Sequence, residues 1–327
     1  MNTIVLMANI CFAPATRQEG CPLNYEESLM VKAAWYYYFE NMTQQAIADR
    51  LSISRMRVIR LLDTARQTGV IQFRLRSDGV GMVEQSRRLI EKYHLKDVFL
   101  IPEVDQDETH PNESIARAGA MYIADRLGDN ACINVGYGDT LSRTLNHLAT
   151  IVQNPVTCIS LTGGVSNYLP NARSNIFNAR LYLMPAPLLA SSPEMAAAMR
   201  GESSVSEIIR MTELSSFTLV GIGSPDDSAT VFRTGVLGPS DLFYLRMNNA
   251  VGDVLCHFLD RDGQLVRSPI EDRLISTPLE RLKAMPNVIG LAAGDSKIEA
   301  IRAVLRGGYL DILITDEPTA NLLLKDE

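Results

Sequence analysis

Residues 42–62 read MTQQAIADRLSISRMRVIRLL, and their pattern decides what the first quarter of the chain can be. Thr43 carries the oxygen that suits a helix cap ahead of Gln44–Arg50, and Ser54 does the same for a helix running to about Gln67. Ala46, Ile47 and Leu51 turn one face of the first helix inward. Val58, Leu61 and Leu62 do so for the second. The short Leu51-Ser52-Ile53 turn sets the pair at a steep angle, so the pattern is a helix–turn–helix. Packing the apolar faces leaves Ser54, Arg55, Arg57 and Arg60 on or near the outside of the second helix.

Working outward, Leu29, Ala33, Tyr36 and Tyr37 share a helical face upstream, and Gly69 suits a helix stop. Val70–Leu75 alternates and reads as a short strand or wing, which would make the unit a winged helix–turn–helix over residues 24–76. The run Trp35–Phe39 favours core and dimer packing over base stacking. Residues 1–23 begin MNTIVLMANICFAPA, apolar but without the basic start of a secretion signal, and are expected to be a disordered extension.

Charge separates this segment from the rest. Residues 28–76 hold eight Lys and Arg against three Asp and Glu, a local +5, whereas residues 77–327 sum to −10 within a chain of −7. A basic module on an acidic body is the arrangement expected of a DNA reader attached to something else. Arg donates two parallel hydrogen bonds to one guanine edge, and the first turn of a recognition helix is where such residues must sit. Gln44 and Gln45 could touch phosphate or serve only as soluble helix residues. A solvated amphipathic helix pair is the alternative reading of the whole unit.

SDGVG at 77–81 reads as a turn-rich joint and 82–94 as a linking helix, so residues 77–95 form a linker. Beyond it the pattern changes. Apolar strands are predicted at 97–101, 132–135, 156–161, 217–221, 287–292 and 312–314, with amphipathic helices between them such as 113–127 and 296–306. That alternation predicts an α/β domain with a mainly parallel sheet over residues 96–327. Four strand ends are glycine-rich: Asn134–Ser142, Ser160–Val165, Val220–Pro225 and Ala292–Lys297. In an open parallel sheet such ends converge on one crevice, and several together favour a phosphorylated or polyhydroxylated ligand.

Other chemistries find little support. Five widely spaced cysteines form no C-x-x-C pair, which fits reduced thiols in a cytoplasmic protein. Four histidines show no metal-ligand spacing, and no G-x-S-x-G or Walker A motif occurs, so neither a metal nor a cofactor is expected. No apolar run reaches the roughly 18 residues of a membrane span. Sugar-phosphate isomerisation stays open as an alternative, with Asp253, Asp295 and Lys297 imaginable as acid and base.

The run from Val31 to Arg76, with AWYYYFENMTQQAIADRLSISRMRVIRLLDTARQTGVIQFRL, resembles the DNA-binding domain of the SorC family of bacterial sugar-responsive regulators, close to the DeoR type. The resemblance extends over nearly all of residues 25–325. It implies a Rossmann-like effector domain shaped like a phosphosugar isomerase, operator DNA as a partner at Thr43, Gln44, Ser54, Arg55, Arg57 and Arg60, and a homo-oligomer, a tetramer. It also implies control of a carbohydrate or polyol operon, most simply as a repressor. Carried over by position, Gly136, Tyr137, Gly138, Asp139 and Thr140 match the loop that meets the ligand. Thr162, Gly163 and Gly164 match its neighbour. Asp253 matches a carboxylate accepting ligand hydroxyls, and Lys297 a basic contact. Asp253 could instead be a turn residue, Asp139 a helix cap and Lys297 a solvated helix-start lysine. A charged Asp139 would repel a phosphate, which leaves room for an unphosphorylated polyol.

Overall fold

The structure, a computed structural model, describes residues 25–38, 40, 42–71, 77–102, 111–152, 154–164, 179–227 and 229–325. The chain divides into two units between Gly81 and Met82. The first contains helices α1 (Tyr25–Tyr38), α2 (Gln44–Leu51) and α3 (Arg55–Gln67). Thr43 accepts the Ala46 amide at 3.2 Å and Ser54 the Arg57 amide at 3.3 Å, so both predicted caps form. Ser52 closes α2 in the left-handed region (φ 56°) and brings the chain sharply round into α3. Leu29, Ala33, Ile47, Val58, Leu62 and Ala65 make one core, with Tyr36, Tyr37 and Tyr38 packed at its edge. Trp35 stays 46% exposed, and Phe39 lies outside the described residues. The expected wing falls mostly on residues 72–76, also outside them, as does the 1–23 extension.

The 77–81 joint is a correction. Ser77–Gly81 is helical and continues into α4 (Ser77–Tyr93) despite its two glycines. Turn-forming residues bias the backbone by only about 1 kcal/mol each, which an adjoining helix can override.

The second unit is built on a seven-stranded parallel sheet with the order β1 (Asp97–Ile101), β9 (Ile312–Asp316), β8 (Val288–Leu291), β5 (Phe217–Gly223), β2 (Cys132–Val135), β3 (Val156–Ser160), β4 (Ala179–Tyr182). Side chains alternate between its two faces. Leu219, Ile289, Ile312 and Ile314 join α5 (Pro111–Ala124) and α6 (Asp139–Ile151) on one side. Val220, Ile222, Val288 and Leu313 join α4, α13 (Ile298–Arg306) and α14 (Glu317–Leu324) on the other. Strands buried on both faces read as continuous apolar runs, which is why six of the seven were predictable. The exception is β4, an edge strand of sequence ARLY that carries no such run.

Two further strands were not predicted. β6 (Gly252–Val254) and β7 (His257–Leu259) form an antiparallel hairpin whose first strand pairs with the end of β5. Its two-residue turn is Leu255-Cys256, both at positive φ (54° and 64°). Asn-Gly or Gly-Gly would have announced such a turn; Leu-Cys does not. The helices α7 (Pro193–Gly201), α8 (Ser203–Met211), α9 (Thr230–Arg233), α10 (Pro239–Met247), α11 (Pro269–Arg273) and α12 (Leu279–Ala284) fill the connections.

β6 is held against α13 at Gly252, where an added Cβ would lie 2.6 Å from both Cα and Cβ of Ala300. Gly252→Ala is expected to lower stability by about 1–3 kcal/mol, because the clash is with backbone that cannot rotate away. Urea denaturation checks it: an unchanged midpoint would show that the hairpin is free to shift.

Candidate functional site

Strand order fixes where a ligand can sit. From β2 the chain proceeds outward to β3 and β4. From β5 it proceeds the opposite way, to β8 and β9. The loops leaving β2 and β5 therefore diverge, and a crevice opens between them at the carboxyl ends of the strands. A cleft of about 400 Å³ lies there, lined by Tyr137–Leu141 after β2, Gly221–Ser224 at the end of β5, and Gly294, Ser296 and Lys297 after β8.

The loop after β2 divides its tasks. Gly136 lies outside the lining: its amide bonds to Leu219 O at 2.8 Å, and a Cβ there would strike the Leu255 side chain at 2.7 Å. Tyr137 reaches Thr234 Oγ1 at 3.2 Å, and burial pushes its hydroxyl above the usual tyrosine value. Gly138 precedes α6 at φ 136° with open space around it, so backbone conformation rather than crowding calls for glycine. Asp139 and Thr140 begin α6 at the cleft. Among the described residues the amides of this first turn carry no bond, as expected at a helix start.

Asp139 does not cap its helix. Its Oδ2 accepts from Arg143 Nε at 2.8 Å and from Asn112 Nδ2 at 3.1 Å. Burial works to raise its pKa, but these bonds and the Arg143 charge hold the carboxyl below its usual range. Arg143 also donates to Glu113 at 2.6 Å, and Glu113 in turn meets His147 Nε2 at 2.6 Å.

Asp253 lies across the cleft on β6, paired with Gly223. A Cβ at Gly223 would fall 2.1 Å from Asp253 Oδ1, so glycine makes room for this carboxylate. Oδ2 accepts the Cys256 amide at 3.1 Å, which ties the carboxylate to the left-handed turn. Behind it His257 meets Glu271 through Nδ1 (2.9 Å) and the Thr277 carbonyl through Nε2 (2.9 Å). Burial pushes the Asp253 carboxyl up to about 6, against the pull of the Cys256 amide, His257 and Lys297. Lys297 ends the turn Asp295–Lys297. Burial pushes its ammonium down, opposed by Asp253, Asp226 and Asp139.

Thr162, Gly163 and Gly164, expected at the ligand, lie elsewhere. Thr162 is buried and bridged to Ser276, while the Gly163 and Gly164 amides bond to Ile275 O and Ala186 O at 2.9 Å each. They follow β3, which stands beyond β2 on the side away from the crevice. Conversely, Asn112, Ser224, Asp226, Arg233 and Ser296 line the cleft and were not singled out. The glycine-rich loops pointed at Ser224 and Ser296. Asn112 and Arg233 arrive from α5 and α9 with no sequence signal.

In the first unit Thr43, Ser54, Arg55, Arg57 and Arg60 are all exposed, and Gln44 is half-buried. Arg55 Nη2 lies 3.5 Å from Gln44 Oε1, and Arg57 pairs with Glu26. Both cap hydroxyls accept from the backbone, which leaves each O–H able to donate to a phosphate. Among the described residues, no His, Cys, Asp and Glu are grouped to hold a metal ion, and no helix is long and apolar enough to cross a membrane.

A helix–turn–helix unit in one chain with an α/β domain that opens a polar cleft at its switch point defines a ligand-responsive transcription regulator. The Sugar-bind family model, describing a sugar-binding domain, matches residues 77–325, and the model for sigma-70 region 4 matches residues 23–68. The chain belongs to this sugar-binding family of DNA-binding transcriptional regulators. It is 31% identical to the transcriptional regulator LsrR of Enterobacter sp. strain 638 over 97% of this chain and 99% of that protein. It is likewise 31% identical to LsrR of Escherichia coli K12, covering 92% and 95%. The full-length sorbitol operon regulator SorC from Klebsiella pneumoniae superposes with a TM-score of 0.65 at 26% identity, over 91% of this chain and 98% of that one.

The Asp253 shift has a sign that can be tested. A carboxyl raised in the folded state favours folding below its unfolded pKa and loses that advantage as pH rises through the folded value, here from about 4 to about 6. Asp253→Asn should therefore stabilise the free protein at pH 8 by up to about 3 kcal/mol. The gain should shrink toward zero near pH 4. Thermal denaturation across that range measures it, and a pH-independent difference would contradict a buried, destabilised charge.

Proposed function

We propose that the N-terminal unit reads operator DNA through Arg55, Arg57 and Arg60, with Thr43, Gln44 and Ser54 on the phosphates, and that the cleft binds a sugar, polyol or sugar phosphate that changes operator affinity. The observation that carries this is the cleft itself. Carboxylates at Asp139 and Asp253 suit hydroxyls, cations at Lys297 and Arg233 suit an anionic group, and all four meet at one switch point. The resemblance to a sorbitol operon regulator supports the polyhydroxylated class. Repression relieved by the effector is the simplest form, with a coupling of about 1–3 kcal/mol between the two sites. A homo-oligomer, a tetramer, would match the symmetry of operators. Trp35 on α1 and Val83 on α4, at 46% and 71% exposure, are apolar surfaces available to it. Action on DNA implies a cytoplasmic protein.

Catalysis is not part of this reading. A sensor needs only reversible binding, and the attached DNA-binding unit supplies the output. Purified protein should leave a sugar phosphate unconverted; measured turnover would favour an isomerase.

Two substitutions separate the sites. Arg57→Ala should weaken operator binding by about 1–3 kcal/mol and leave effector-induced thermal stabilisation intact. Asp253→Ala should abolish that stabilisation while the free protein still binds operator. Fluorescence anisotropy on operator DNA, paired with a thermal-shift screen of sugars, polyols and their phosphates, reads both. If neither substitution changes either activity, the residue assignments fail.

A further inference from the structure

The second helix of the helix–turn–helix turns a large apolar side chain to solvent. Val58, Leu61, Leu62 and Ala65 form the buried face of α3. At 3.6 residues per turn each step rotates the helix by about 100°, which places Met56 almost opposite the mean direction of those residues. By the same rotation Arg60 stands about 40° to one side of Met56, and Arg55 and Arg57 about 100° to either side. The side-chain contacts agree. Arg57 pairs with Glu26 of α1, and Arg55 Nη2 lies 3.5 Å from Gln44 Oε1 of α2. Both arginines are drawn toward the flanks, and the crest is left to Met56 and Arg60. Met56 is 57% exposed, and among the described residues of α2 and α3 no other large apolar side chain is exposed. It is the second residue of α3, within the turn that follows the Ser54 cap.

Isolated apolar side chains are common on protein surfaces and by themselves mean little. This one stands in the turn that meets base edges when a helix of this kind enters the major groove, and three arginines surround it in a segment of net charge +5. The cations suit phosphates and guanine edges. An apolar group on the same crest has a different match in the major groove, the C5-methyl of thymine, which no other base carries. Resting on the operator reading above, we propose that Met56 is a specificity-determining residue that packs on a thymine methyl beside the base pairs met by the arginines. Its unbranched, flexible thioether chain can follow the methyl across the groove floor. The contact carries no charge, so it discriminates between sequences without raising affinity for DNA at large.

The test uses the full chain and a duplex that it selects from a random-sequence library. Each thymine of that duplex is replaced in turn by deoxyuridine, which removes the methyl and keeps the hydrogen-bonding edge. Fluorescence anisotropy should find a position in each half-site where wild-type affinity falls roughly three- to fivefold, the worth of one buried methyl. Met56→Ala should bind the thymine duplex more weakly by a similar factor and be indifferent to uracil at that position. Met56→Leu, which keeps an apolar tip, should retain part of the difference. Affinity for a random-sequence duplex should stay unchanged in both variants, because the phosphate contacts are untouched. Wild-type indifference to uracil at every position overturns the proposal and leaves the operator reading in place. So does a uracil penalty that Met56→Ala shares in full, or an equal loss by Met56→Ala on random-sequence DNA. A chain that enriches no sequence from the library counts against the operator reading itself, and the proposal falls with it.

Discussion

All seven parallel strands deliver their carboxyl ends to one side of the sheet, but the chain leaves the middle in two directions. That reversal between β2 and β5 is the constraint on which the rest depends. Loops leaving neighbouring strands toward opposite sides cannot pack on each other, so a gap opens between them. The same geometry assigns each glycine-rich loop its task. The loops after β2, β5 and β8 border the gap, whereas the loop after β3 is carried away and spends its amides on Ile275 and Ala186.

Charge in the gap has to be held there against its tendency to leave. Asp253 sits on a three-residue strand, opposite a glycine that makes room for it and next to a turn with two non-glycine residues in the left-handed region. Both features cost folding free energy, and each positive-φ residue alone costs on the order of 1 kcal/mol. A core on both faces of the sheet offsets this, and His257, bonded at both ring nitrogens, ties the hairpin to the segment that follows. Such strain is retained where a group must be presented rather than solvated.

The first unit solves a different problem. Its core is small, so local signals carry more of its definition: two side-chain caps and a left-handed Ser52 set the helix ends. In the proposed reading the arginines need no burial, because phosphate and base edges would supply their partners when DNA arrives. Sensing and reading thus rest on separate cores within one chain.

Much of this was determined by sequence alone. Caps at Thr43 and Ser54, the apolar faces of α2 and α3, and six of the seven parallel strands follow from periodicity and hydrogen-bonding chemistry, which act over a few residues. Tyr137–Thr140, Asp253 and Lys297 were likewise expected at the site, by resemblance, and line the cleft. Tertiary structure decided the remainder. Whether Gly163 or Ser224 meets the cleft depends on which strand lies beside which, and strand order is not written in any local pattern. The Leu255-Cys256 hairpin exists because packing overrides the backbone preference of both residues. Arg143 reads in sequence as one more helix charge. Only the placement of α5 beside α6 brings Glu113 and Asn112 to the same cluster, and a Coulomb interaction depends on distance in space, not along the chain.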